Sequence, residues 1–406
     1  MKCQICGNKN LESVLDLGHQ PIVQAYLTKK QLHEPEVTYP LHLCRCAKCG
    51  LLQLDSIIAP ELVFPKNYPY RTGLTNMLIR NFRELAGSLE TKYNLSKNDL
   101  IIDIGSNDGT LLQSFKEKGM RVLGVEPTDA AKAANKNGIS TIQEYFTKST
   151  AKKILKKYGK AKIVTATNTF AHIPNPVELT KNIKSALAPD GVFVSESQYL
   201  MDIVEKFEFD TIYHEHLRFY SLKPLIKLFA LAGMSLIDAE RISSSGGSIR
   251  IFAKPGRHKM SAGARNLMAA EERAGLYNKA KLHKFAQKAI IAKNNLLKLL
   301  IELKQKGAKI AGITSSARSN TLLGFTKIDS QILDYSVEKA GSPKIGLFTP
   351  GTHIPVLEED KLFKDQPDYA LVLSWHIGEE LMKILRKNGY KGKFIMPLPK
   401  ARIYGK

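Results

Sequence analysis

The sequence predicts an α/β protein: a small four-cysteine zinc domain at the N-terminus, then two Rossmann-like α/β units. Three observations predict it. Two Cys-x-x-Cys pairs lie close to the N-terminus. A strand, a glycine turn and a helix follow one another from Leu100 to Lys118. A second strand–helix alternation begins at Lys309. With 406 residues, the chain is too long for one ordinary core and suits two or three domains.

The cysteines come first. All five (Cys3, Cys6, Cys44, Cys46 and Cys49) sit at the N-terminal end. A disulfide framework would be spread over a secreted fold, so this clustering points to metal. Each Cys-x-x-Cys turn brings two thiolates to one ion, and Cys3, Cys6, Cys46 and Cys49 together complete a tetrahedral zinc site. Gly7 and Gly50 follow the pairs and permit the tight left-handed turn of a zinc knuckle. Four protein ligands leave no open position, so the zinc is expected to be structural. Cys44 is out of register and is read as a bystander, with competition against Cys46 for the metal as the alternative. The apolar strand Leu51-Leu52-Gln53-Leu54 follows the second pair, where a nucleic-acid reader would carry a basic helix.

Leu78, Ile79, Phe82 and Leu85 recur at helical spacing and predict a helix over 68–93. Leu100–Ile104 reads as a buried strand, Gly105–Gly109 as a turn and Thr110–Lys118 as a helix. Further strands are expected at 121–126, 162–167 and 192–196, with helices near 147–158 and 177–187. A helix at 222–232 leads to two strands, 235–241 and 248–253. Residues 262–306 read as helical with a break near Tyr277. The second unit is expected to place strands at 309–313, 332–337, 344–348, 369–373 and 393–396. The expected domains are 1–64, 65–245 and 246–406.

The turn Asp103-Ile-Gly105-Ser106-Asn107-Asp-Gly109 leaves a strand and opens a helix, where a doubly wound sheet binds its ligand. Asn107 stands where a dinucleotide fingerprint needs its second glycine. The pattern D-x-G-x-x-x-G, with Glu126-Pro127 ending the next strand, suits S-adenosylmethionine better. Glu126 would accept hydrogen bonds from the ribose hydroxyls. Asn168 ends the fourth strand, and His172 follows it in His-Ile-Pro. Past the fifth strand, Tyr213-His214-Glu215-His216 and Tyr220 gather titratable groups. An imidazole there can remove a proton from carbon beside a ketone, and tyrosine hydroxyls can support the enolate oxygen.

Together, the paired cysteines, D-x-G-x-x-x-G, N-x-x-x-H-I-P and Y-x-E-H resemble the sugar C-methyltransferase family. The resemblance extends through Gly246-Gly247-Ser248, Asn320-Thr-Leu-Leu323 and Thr349-Pro-Gly-Thr352. It implies a central class I S-adenosylmethionine methyltransferase domain and a C-terminal substrate-binding domain. The implied reaction is methylation of nucleotide-linked 4-keto deoxysugars. It implies His216 as base, assisted by Tyr213 and Glu215, with Tyr70 reaching the sugar and Tyr68 as its alternative. Tyr68, His172, Tyr220, Gly247 and Ser248 are expected at the substrate, and Zn2+ and S-adenosylmethionine as cofactors. Three positions depart from the family's usual pattern: Ser245, Arg318 and His376.

The formal charge of +22 is read as a lysine-rich surface that also attracts an anionic substrate. The expected partner is a small molecule, with neither membrane nor nucleic acid. No stretch approaches the roughly 20 apolar residues of a membrane helix, and Met1-Lys2-Cys3-Gln4 carries no leader pattern, so the expected compartment is the cytoplasm. O- or N-methylation of another small molecule, and a zinc-ribbon nucleic-acid-binding protein, remain the alternative readings.

Overall fold

The computed structural model describes residues 1–74 and 76–405; Thr75, inside the expected 68–93 helix, and Lys406 lie outside the described residues. Three sheets organise the chain. The strands are β1 (Leu11–Gln20), β2 (Tyr39–Cys46), β3 (Leu52–Leu54), β4 (Leu100–Ile104), β5 (Arg121–Val125), β6 (Thr141–Ile142), β7 (Ala161–Thr167), β8 (Leu187–Gln198) and β9 (Arg218–Phe219). They continue with β10 (Met234–Ile242), β11 (Ser248–Pro255), β12 (Ile310–Ile313), β13 (Tyr335–Glu338), β14 (Val356–Glu358), β15 (Tyr369–Val372), β16 (Lys393–Met396) and β17 (Arg402–Tyr404).

The central sheet runs β10-β11-β8-β7-β4-β5-β6. Its β4 is apolar apart from Asp103, mostly β-branched, and buried throughout, as a strand covered on both faces must be. β5 and β6 extend the sheet on one side of β4, and the chain then returns to place β7 and β8 on the other. That reversal opens a crevice at the carboxyl end of β4. The C-terminal sheet, β14-β13-β12-β15-β16-β17, repeats the device, with its reversal at β12. Each crevice faces the same cavity, which takes residues from both carboxyl ends.

Most elements stand where the sequence predicts them. The helix Asn76–Tyr93 buries Leu78, Phe82, Leu85, Ala86 and Leu89 along one face. It starts later than expected, because Thr72–Leu74 forms a 3-10 turn. Residues 262–306 form two helices, Ala262–Arg273 and Lys279–Gln305, with Tyr277 in the break.

Two expectations need correction. The central sheet is not wholly parallel: β10 and β11 form an antiparallel hairpin that joins β8. That hairpin carries the central sheet on to Pro255. Residues 344–348 form no strand. Gly346 takes a φ of +84° there, and the third parallel strand is Val356–Glu358 instead.

Candidate active site

The glycine turn forms one wall of the cavity. Gly105 has φ +71°, and a Cβ at that position would lie 2.4 Å from the Thr169 side chain, so only glycine fits between β4 and the loop after β7. Asn107 also takes a positive φ, +50°. Its Oδ1 accepts from the Thr72 backbone N–H at 3.0 Å, and its Nδ2 donates to the Tyr70 carbonyl at 3.3 Å. The Tyr68–Gly73 segment is thereby held over the turn. Asp103 is buried beneath, accepting from Thr165 Oγ1 at 2.7 Å, and burial pushes its carboxyl up to about 7. Glu126 Oε2 accepts from the Asn107 N–H at 3.1 Å, and Oε1 from Thr128 Oγ1 at 2.6 Å. The Ser106 hydroxyl is buried without a protein partner.

The 213–216 segment lines the cavity as well, through Tyr213, Glu215 and His216. His216 Nδ1 lies 2.7 Å from the Thr211 carbonyl. A carbonyl can only accept, so Nδ1 carries the proton and Nε2 keeps a free lone pair. Burial pushes the imidazole down to about 4, so the ring is neutral near pH 7. The Tyr213 ring lies 4.0 Å from that of His216, centroid to centroid. His172 stacks on the His216 ring at 5.0 Å, and Phe64 stacks on His172 at 5.5 Å. Tyr68 donates its hydroxyl to Glu215 Oε2 at 2.8 Å. Glu215 Oε1 is buried and unpartnered, and burial raises this carboxyl to about 7.

The cavity spans about 530 Å³, within the range of small-molecule sites. Asp103, Gly105, Ser106, Asn107, Glu126, Pro127 and Asn168 line it. So do Tyr68, Tyr70, His172, Tyr213, Glu215 and His216. Tyr70 is 40% exposed.

Four expected residues fall elsewhere. Gly109 lies off the cavity and shapes the start of the helix Thr110–Lys116, with φ +81°. Tyr220 is core: its ring stacks on Phe170 at 5.4 Å, and it is 1% exposed. Gly247 packs against Asp202, and Ser248 Oγ donates to the Ser244 carbonyl at 3.0 Å; of that turn, Ser245 is the residue that reaches the cavity.

Sequence reasoning missed Phe64, Lys344 and Ser316 as cavity residues and noted Arg318 and His376 only as unusual positions. The C-terminal domain supplies four of these. The usable signal was the carboxyl end of β12: residues between a parallel strand and its helix face the crevice at a reversal point.

At the N-terminus, Cys3, Cys6, Cys46 and Cys49 place their sulfurs within 4.8 Å of one another, with Cys3–Cys49 at 3.5 Å and Cys6–Cys46 at 3.6 Å. Tetrahedral zinc–thiolate bonds of about 2.3 Å require sulfurs about 3.8 Å apart, so the set fits zinc with no open position. Cys44 points instead toward His42, 3.6 Å from its Nδ1, and is not part of this set.

The chain is similar to known proteins along its length. Residues 3–64 match a model described as "putative zinc binding domain". Residues 75–239 match a methyltransferase domain, and residues 243–399 a C-methyltransferase C-terminal domain. The chain is 29% identical to the C-methyltransferase NovU of Streptomyces niveus, over 99% of this chain and 96% of the relative. A ubiquinone biosynthesis O-methyltransferase of Actinobacillus pleuropneumoniae serotype 5b is 28% identical over 23% of this chain and 42% of its own. A solved S-adenosylmethionine-dependent methyltransferase from Clostridium acetobutylicum superposes on 44% of this chain and 92% of its own, at 14% identity and a TM-score of 0.36. Three domain models in this order, and an end-to-end similarity to a C-methyltransferase, show the chain to be an S-adenosylmethionine-dependent methyltransferase with a zinc-binding domain at its N-terminus, similar along its length to C-methyltransferases.

Proposed function

We propose that the enzyme methylates the carbon beside the ketone of a nucleotide-linked 4-keto deoxysugar, with His216 as the base. The observation that carries this reading is the state of His216: a neutral imidazole whose Nδ1–H is fixed on Thr211, leaving Nε2 as its basic atom, in the wall of the cavity that the glycine turn also lines.

Asp103, Gly105, Ser106, Asn107, Glu126, Pro127 and Asn168 are the residues that would hold S-adenosylmethionine. When bound, it supplies an electrophilic methyl group on a sulfonium. The chain's own groups do the rest. His216 Nε2 takes the proton from the carbon beside the ketone. Burial holds the Tyr213 hydroxyl well above its ordinary pKa, so it stays a donor for the developing enolate oxygen. Tyr68 and Glu215 form a hydrogen-bonded pair at the same wall, and Tyr70, which also lines the cavity, is the tyrosine that would reach the sugar.

The nucleotide part of the substrate is supported by charge. Lys344 lines the C-terminal side of the cavity, where the charge of Arg318 is already paired with Asp210, and the whole chain carries +22. A cation lining a cleft of low dielectric favours a diphosphate there. The cytoplasm remains the proposed compartment: none of the five cysteines is in a disulfide and four of them are gathered as zinc ligands, which suits reducing surroundings, and no helix among the described residues is long and apolar enough to cross a membrane.

The test uses purified enzyme with S-adenosylmethionine and a panel of nucleoside diphosphate 4-keto-6-deoxysugars. The reading expects a new carbon-bound methyl in the product NMR spectrum and loss of turnover in His216→Asn with S-adenosylmethionine binding retained. A methyl on oxygen or nitrogen would replace it with O- or N-methylation.

A further inference from the structure

His216 does not hold its own orientation; the residues that hold it lead into the C-terminal domain. Thr211, whose carbonyl takes the Nδ1–H, ends the 3-10 turn Phe209–Thr211. The middle residue of that turn, Asp210, is fully buried. Its carboxylate is gripped from the other domain. Arg318 Nη2 donates to Oδ1 at 2.9 Å and Nε to Oδ2 at 3.1 Å, a two-pronged contact. Trp375 Nε1 donates to Oδ2 at 2.8 Å, and the Arg318 guanidinium lies 5.4 Å from the Trp375 ring centroid. Glu208, at the other end of the turn, comes within 3.5 Å of Arg318 Nη1.

Arg318 sits in the first turn of the helix Ala317–Thr326, directly after the carboxyl end of β12. One buried cation therefore ties the crevice of the C-terminal sheet to the turn that orients the imidazole of the central one. A lysine could place a charge there but not the planar fork that fixes both carboxylate oxygens.

We propose that Arg318 is a positioning residue: through Asp210 it fixes the Thr211 carbonyl, and so the docking of the C-terminal domain sets the tautomer and aim of His216. The inference rests on the reading of His216 as base for its consequence in turnover, but not for its structural readout.

The test compares wild type with Arg318→Lys, Arg318→Ala and Asp210→Asn. Imidazole 15N–1H spectra of histidine-labelled protein read the tautomer of His216, assigned by its loss in His216→Asn. Calorimetric titration with S-adenosylmethionine reports whether the central domain is intact. Arg318→Lys keeps the buried positive charge and is the variant to rely on where Arg318→Ala does not fold.

The expected result has three parts. Wild type shows a single neutral Nδ1–H form. Arg318→Lys and Asp210→Asn show a mixture of tautomers, and turnover falls about tenfold or more, as misplacement of a reacting group by a fraction of an ångström does. S-adenosylmethionine affinity stays within about twofold, because the residues proposed to hold it follow β4, β5 and β7 and not the turn that Arg318 grips. The double variant Arg318→Lys/Asp210→Asn is no worse than either single one. A merely structural role would lower the melting temperature and leave the tautomer alone.

An unchanged Nδ1–H signal in Arg318→Lys and Asp210→Asn overturns the proposal, as does a turnover loss fully explained by weaker S-adenosylmethionine binding. Full activity in His216→Asn would sink the base assignment instead, while the tautomer comparison would still decide the role of Arg318.

Discussion

Gln53 and Arg218 face each other in one antiparallel ladder, so the sheet of the zinc domain is completed by a strand of the methyltransferase domain. His216 lies two residues before that strand. The metal is therefore placed to support the active-site wall as well as its own knuckle. Cys46→Ser, or removal of zinc by a strong chelator, should lower the melting temperature by more than about 5 °C, since a structural zinc contributes about 10 kcal/mol or more to local folding. Turnover should fall further than S-adenosylmethionine affinity does, because β3 pairs with the His216 side and not with the glycine turn. Zinc analysis, calorimetric titration and a methyl-transfer assay on one preparation check both halves.

Gly105→Ala should weaken S-adenosylmethionine binding by at least about tenfold. Its Cβ would sit 2.4 Å from Thr169 at φ +71°, so the turn must shift away from β7. The strain is on the order of 1–3 kcal/mol. The control is Gly159→Ala: that glycine has φ +84° but nothing within 4 Å of its Cβ, so it should cost stability without touching affinity.

Acid should destabilise the fold through its buried histidines. Burial lowers His216 and His376 to about 4 and holds His172 well below its ordinary value, against about 6.5 in the unfolded chain. Between those values the unfolded state takes protons that the native state refuses. The stability these groups contribute is full above about 6.5 and drains away as pH falls toward 4. Asp103, Glu208 and Glu215 act in the opposite sense, because burial raises each to about 7 and their protonated forms are favoured in the native state. Melting temperatures measured from pH 7.5 to 4.5 in His376→Asn should fall less steeply than in wild type. In Glu215→Gln they should fall more steeply.

Much of the cofactor wall is legible in the sequence. The run Leu100–Ile104 is apolar enough to be a doubly covered strand, and glycine at 105 marks a bend no side chain tolerates. The four zinc ligands follow from spacing alone, because a Cys-x-x-Cys turn has one geometry. What the sequence hides is pairing across distance. Arg318 and Asp210 are separated by 108 positions, and nothing local shows that they meet. Tyr220 looks like a catalytic tyrosine beside His216 but turns into the core against Phe170. Residues 344–348 have the composition of a strand. Gly346 bends them, and Lys344 turns its ammonium to the Ser315 carbonyl, 2.6 Å away, which puts that lysine at the cavity. Hydrophobic pattern sets which residues are buried; it does not say which crevice a polar one faces.

The most direct measurement is hydrogen exchange at the reacting carbon. A nucleoside diphosphate 4-keto-6-deoxysugar is incubated in deuterium oxide with the enzyme and S-adenosylhomocysteine, so that no methyl can be transferred. With His216 as base, deuterium should enter the position beside the ketone at a rate well above the enzyme-free control, and His216→Asn should remove that excess. Equal wash-in by wild type and His216→Asn, or none with a sugar that the enzyme nevertheless methylates, would contradict the account.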